Sequence, residues 1–188
     1  MTGVRGTITD TTTESNLERT LAHQEIHDGL TGLINRAEFE RRLHRKMAVL
    51  PSVRKPACVI VVSLDRFKVI NDACGHTAGD LLLRQISDVI RQSVRDSDLL
   101  ARLDGDTFAL LLDPCPLQNG MRVCEKIRAR IDEHRFTWQD EVHTISASIG
   151  LAPIDKQVSR NAQVLTNADA ACFKAKQSGR NKIQVFDA

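Results

Sequence analysis

The chain has 188 residues, 41% of them hydrophobic and 27% charged, enough for one domain with a real core and a short appendage. A formal net charge of +2, with 4% aromatics, one Trp and no Tyr, argues against a nucleic-acid surface or a base-stacking platform. No apolar run reaches the length of a membrane span and no signal-peptide core is present. Five scattered cysteines without a CxxC pair (Cys58, Cys74, Cys115, Cys124, Cys172) read as reduced thiols in the cytoplasm rather than as a zinc site or disulfide frame.

Residues 1–14 are polar and Thr-rich and read as a flexible lead-in. From Ser15 the apolar spacing of Leu17, Leu21 and Ile26 suggests a short linker helix, so that residues 1–27 stand apart from a domain over 28–188. Asn35 is a suitable N-cap for a helix whose Phe39, Leu43, Met47 and Leu50 share one face, with Pro51 as its stop. The Val- and Ile-rich run 57–64 reads as a buried strand. Thr77 and Asp80 have capping-box spacing and should open a helix carrying Leu81, Leu82, Ile86, Val89 and Ile90. "DLLARL" and "TFALLL" read as two strands joined by an Asp-Gly turn at 104–106. Pro116 suits a first helical turn, followed by the stripe Leu117, Met121, Cys124, Ile127 and Ile131. Residues 143–152 alternate as one half-buried strand, 159–178 read as a helix stopped by Gly179, and 182–186 as a last strand.

From residue 57 the order is strand, helix, strand, strand, helix, strand, then helix and strand. This predicts an α+β fold of ferredoxin-like type, a mixed sheet surrounded by helices as in the palm of nucleotide cyclases. Right-handed crossovers then bring the end of strand 57–64 and the turn 104–106 to one sheet edge. Ser63, Asp65, Asp104 and Asp106 become neighbours there.

Five segments occur in order: "DGLTGLINRAEF" (28–39), "LDRFKVINDACGHTAGD" (64–80), "ARLDGDTF" (101–108), "SIGLA" (148–152) and "ADAACFKAKQSGRNK" (168–182). Together they closely resemble the GGDEF domain family, diguanylate cyclases that join two GTP molecules into cyclic di-GMP, from about Asp28 to Phe186. "DGDTF" occupies the place of the Gly-Gly-Asp/Glu-Glu-Phe signature. Gly105, Asp106 and Phe108 match it; Asp104 replaces the first glycine and Thr107 the glutamate. Where the family reads Asp-x-Asp-x-Phe-Lys this chain reads "SLDRFK", so Ser63 stands for a metal-binding aspartate.

The resemblance implies a reaction in which a ribose 3′-hydroxyl attacks the α-phosphate of a second GTP, with Mg2+ held by carboxylates. Its metal ligands fall on Ser63, Asp106 and the backbone carbonyl of Leu64, of which only Asp106 keeps a charged side chain. Serine is a weak ligand for a hard dication, and losing two acids should cost roughly 10³-fold or more in rate. Asp104 fills space that glycine leaves open and repels triphosphate. Asp104 or Asp65 could stand in for the missing acid. A calcium loop on Asp104-Gly105-Asp106 has no further ligand at EF-hand spacing.

By the same resemblance, Asn71 and Asp80 recognise guanine, Lys176 and Arg180 contact phosphates, and Phe67, Lys68 and Gly105 complete the GTP cradle. Read without it, Asp80 caps a helix, Asn71 holds a turn, Lys176 is a solvated face and His76 is structural. Arg95 and Asp98 form an RxxD arrangement five residues before the signature, the family's site for inhibitory cyclic di-GMP, with Arg128 or Lys126 as extra contacts. The expected function is therefore a degenerate GGDEF domain, inactive or barely active as a cyclase and regulatory through GTP or cyclic di-GMP. It would act as a homodimer or against a neighbouring domain such as a phosphodiesterase, in the cytoplasm. The alternative is an active diguanylate cyclase.

Overall fold

A computed structural model describes residues 25–49, 55–154 and 163–187. The expected lead-in, the linker-helix positions Leu17 and Leu21, Leu50, Pro51 and the first residues of the 159–178 helix lie outside the described residues. Among the described residues no helix is long and apolar enough to cross a membrane.

The elements are α1 (Arg36–Val49), β1 (Ala57–Leu64), α2 (Phe67–Cys74), α3 (His76–Arg91), β2 (Leu99–Asp104), β3 (Thr107–Leu112), α4 (Leu117–Glu133), β4 (Arg135–Trp138), β5 (Glu141–Thr144), β6 (Ala147–Ile154), α5 (Val164–Gln177) and β7 (Ile183–Val185). The main sheet has the order β2-β3-β1-β6-β7, antiparallel except for the β6–β7 pair. The arrangement β6-β1-β3-β2 is the expected split βαβ pattern. The α+β expectation therefore holds.

Alternation along each strand sends side chains to two cores. Cys58, Ile60, Val62 and Leu64 of β1 join Phe108 and Leu110 under α2, α3 and α4, while Val59 and Val61 join Ala109 and Leu111 under α1 and α5. All eight residues of β1 are buried, as a strand covered on both faces must be. Gly150 lets α5 cross β6 at backbone distance; a Cβ there would lie 2.0 Å from the Ala168 carbonyl and 2.3 Å from the Cys172 nitrogen.

Asn35 caps α1 as expected, its Oδ1 accepting from the Glu38 amide at 3.0 Å. Four local expectations are corrected. The Thr77–Asp80 box is not the start of α3: Gly75, at φ 84°, ends α2 and begins α3 at once, so both residues lie inside the helix. Asn71, read apart from the resemblance as holding a turn, lies inside the helix α2, which buries Phe67 and Ile70 one turn apart. Residues 143–152 are not one half-buried strand. β5 pairs with β4 in a separate hairpin, and β6, nearly all buried, begins after Ser146, whose carbonyl accepts from the Asp65 amide at 2.8 Å. Pro116 sits one residue ahead of α4, with its carbonyl taking the first helical amides, and Leu117 is exposed.

Candidate functional site

The edge where β1 ends is held to the signature turn by the backbone: the Leu64 amide donates to the Asp106 carbonyl at 3.1 Å. Ser63 pairs with Thr107 across β1 and β3, so the two residues share the face covered by α1 and α5. Ser63 is buried and its Oγ has no hydrogen-bond partner among the described residues, an uncommon state for a buried hydroxyl. The Thr107 hydroxyl reaches only Asp106 Oδ1, at 3.4 Å.

The other two carboxylates near this edge are engaged elsewhere. Asp65 is 5% exposed and accepts from Ser146 Oγ (2.7 Å), Ser148 Oγ (2.7 Å) and the Asn181 amide (3.0 Å). Three donors take three of the roughly four acceptor positions of the carboxylate, so most of its capacity is committed to the fold. Asp104 is exposed and pairs with Arg36 at 3.3 Å. It lies with Thr107, Glu40, His44 and Asp169 along a cavity of about 340 Å³ between α1 and α5. Among the described residues no cluster of three or more His, Cys, Asp or Glu side chains is placed to hold a metal ion. A donor set of Asp106, the Leu64 carbonyl and two hydroxyls does not fit a pair of hard dications.

Arg102, which sequence reasoning passed over, clamps the signature turn. Its Nε and Nη2 donate to the Gly105 carbonyl at 2.9 and 2.7 Å, and its Nη1 lies 3.2 Å from both oxygens of Asp28. Gly105 takes φ 38°, which favours glycine. Burial alone would raise the Asp28 carboxyl, but the Thr31 hydroxyl and amide and Arg102 outweigh it and hold its pKa below the ordinary value. The available signal was a basic residue two positions before the turn, with an acid opening "DGLT".

Among the cradle residues, Phe67 is buried, while Lys68, Asp80 and His76 are exposed. Asn71 Oδ1 is buried without a partner among the described residues. It fits only because residue 79 is glycine, where a Cβ would lie 1.8 Å from that oxygen. Lys176 lies near the C-terminal end of α5, half-buried, and Arg180 in the following turn, exposed.

The second expected site is a separate pocket. The Arg95 amide donates to Asp98 Oδ2 at 3.0 Å, and both residues line a cavity of about 300 Å³ with Cys115, Asn119, Arg122 and Lys126. Lys126 is thus at the pocket, with its Nζ on the Ser93 carbonyl at 3.2 Å. Arg128 points elsewhere, to Glu125 and Asn181. Arg122 was not anticipated.

Comparison with known proteins agrees with this fold. The family described as "Diguanylate cyclase, GGDEF domain" matches residues 25–182. The chain is 37% identical over 180 residues to "Probable diguanylate cyclase DgcE" of Escherichia coli strain K12, covering 96% of this chain and 16% of that protein. It is 40% identical over 170 residues to diguanylate cyclase TpbB of Pseudomonas aeruginosa strain UCBPP-PA14, covering 89% and 39% respectively. The chain therefore spans well under half the length of these relatives. Among solved structures, the coiled coil and GGDEF domain of DgcB from Caulobacter crescentus, in complex with c-di-GMP, superposes with a TM-score of 0.82 at 27% identity, over 94% of this chain and 95% of that one.

Proposed function

This chain is a GGDEF domain, a member of the diguanylate cyclase family of cyclic di-GMP signalling proteins, and from that premise we propose that it is a nucleotide-binding regulatory module with little or no cyclase turnover. The observation that carries the reading is the Ser63–Thr107 pair, two hydroxyls facing each other where the family has a metal-binding aspartate and the signature glutamate. Asp65, just past the end of β1, already accepts three hydrogen bonds, and Asp104 is paired with Arg36. Members of the family use Mg2+ with GTP. Here a lone Asp106 would offer it a weak foothold.

Guanine recognition is the part of the site best supported. Asn71 Oδ1 is a buried acceptor waiting for a donor, and the N1 and N2 hydrogens of guanine are donors of the right kind. Asp80, exposed on α3, supplies a carboxylate for the same edge. The α2 N-terminus at Phe67 and Lys68, with Lys176 and Arg180, would take the phosphates. Arg95 and Asp98, at the mouth of the second cavity, suit the guanine edges and phosphates of cyclic di-GMP, as a fork donor beside an acceptor. The module would pass nucleotide occupancy to a second copy or to an adjoining domain, a phosphodiesterase among them.

The test is calorimetry with GTP and with cyclic di-GMP, alongside chromatography of GTP incubated with Mg2+ or Mn2+. Binding of either nucleotide without appreciable product is expected. Brisk cyclic di-GMP formation that disappears in Asp106→Ala would overturn the reading in favour of an active cyclase. Failure to bind either nucleotide at high micromolar concentration would overturn nucleotide sensing altogether.

A further inference from the structure

The turn after α5 has three consecutive residues at positive φ: Gly179 at 112°, Arg180 at 62° and Asn181 at 47°. Non-glycine residues stay in the left-handed region only where their surroundings over-determine it. Asn181 is fixed from three sides. Its amide donates to buried Asp65 at 3.0 Å, its Oδ1 accepts from Arg128 Nη1 at 2.9 Å, and its Nδ2 donates to Asp132 Oδ1 at 3.1 Å. Arg128 is in turn held by Glu125. On either side, the Arg180 amide donates to Ala175 at 3.1 Å and the Lys182 carbonyl accepts from Ile149 at 2.8 Å. Among the described residues the Arg180 guanidinium itself has no hydrogen bond or ion pair.

We propose that Asp65 and Asn181, closed from α4 by Arg128 and Asp132, are positioning residues that lock the 179–181 turn so that the unpaired guanidinium of Arg180 is held ready for a nucleotide phosphate. This rests on the reading above, that Arg180 meets the phosphates of GTP. It gives Asp65, the acid that survives at the end of β1, a duty other than metal binding. Two of its three donors, Ser146 and Ser148, stand at the start of β6, so the carboxylate ties the turn directly to the strand ends that frame the site. A carboxylate with three donors is a rigid anchor, and the turn inherits that rigidity through one amide.

Asn181→Gly is the informative variant. Glycine tolerates φ 47° and keeps the amide bond to Asp65, while both side-chain arms are lost. Calorimetry with GTP and with guanosine, which lacks phosphate, separates positioning from general damage. We expect Asn181→Gly to weaken GTP by about tenfold or more and leave guanosine unchanged. Arg180→Ala should weaken GTP similarly in the wild-type background and add little in the Asn181→Gly background. Equal weakening of GTP and guanosine, or full additivity of the two substitutions, would overturn the proposal. Should the wild-type chain bind no GTP, the nucleotide reading falls separately, and hydrogen exchange at the Arg180 amide then judges the lock. Acceleration of about tenfold in Asn181→Gly supports it, and unchanged protection refutes it.

Discussion

Removing the Arg102 guanidinium is the sharpest perturbation of the signature turn. Arg102→Ala deletes two charge-assisted bonds to the Gly105 carbonyl and the contact to both oxygens of Asp28. The side chains are 13% and 23% exposed, so the pair is neither a surface bridge worth a few tenths nor a sealed one. Bonds to charged groups contribute about 1.5–3 kcal/mol, and Asp28 is left with only its Thr31 partners. We expect a loss of about 2–3 kcal/mol, which for a chain of this size lowers Tm by roughly 4–12 °C. Urea denaturation of Arg102→Ala, Asp28→Ala and the double variant gives the coupling directly, with about 1 kcal/mol or more expected. A single-variant loss under about 0.5 kcal/mol, or additive effects within about 0.3 kcal/mol, refutes the claim that this clamp holds the turn.

Three further outcomes follow from particular contacts. Gly150→Ala forces a methyl group into backbone on two sides, so α5 must retreat; we expect more than about 3 kcal/mol lost, and a wild-type melting curve would contradict the packing. Asp28 has a folded pKa below its ordinary value of 3.8, so its contribution is complete above that pH and disappears as pH falls through the lowered value. Stability measured from pH 6 to pH 2 should therefore drop more steeply in the wild type than in Asp28→Asn, and parallel curves would remove Asp28 from the account. Ser63→Asp combined with Thr107→Glu returns two acids to facing positions, and GTP with Mg2+ should then yield at least about tenfold more cyclic di-GMP. A variant that folds and binds GTP without that gain would show that the acids are not what limits the reaction.

The two apolar stripes on α1 and α3 were legible because they are periodic, and periodicity is local, whereas the short elements α2 and β4 were not anticipated. The sheet edge was legible too, since crossover handedness leaves one choice for where β1 and the turn meet. The three partners of Asp65, Ser146, Ser148 and Asn181, were not legible because they come from distant parts of the chain and leave no pattern around residue 65. The same holds for Arg102 and Asp28, 74 residues apart. The β5–β6 boundary was hidden because Ile145, Ala147, Ile149 and Leu151 carry one apolar alternation straight through it. What separates them is a backbone bond from Asp65 to the Ser146 carbonyl, invisible to side-chain composition.

Two hydroxyls meeting at the strand ends also change what the empty molecule must endure. Acids crowded at such a spot push one another apart until a counter-ion neutralises them, and a fold built that way leans on its magnesium. Ser63 and Thr107 carry no such tension. At that pair magnesium has no like charges to neutralise, and a chelating buffer takes away nothing that the Ser63–Thr107 contact depends on.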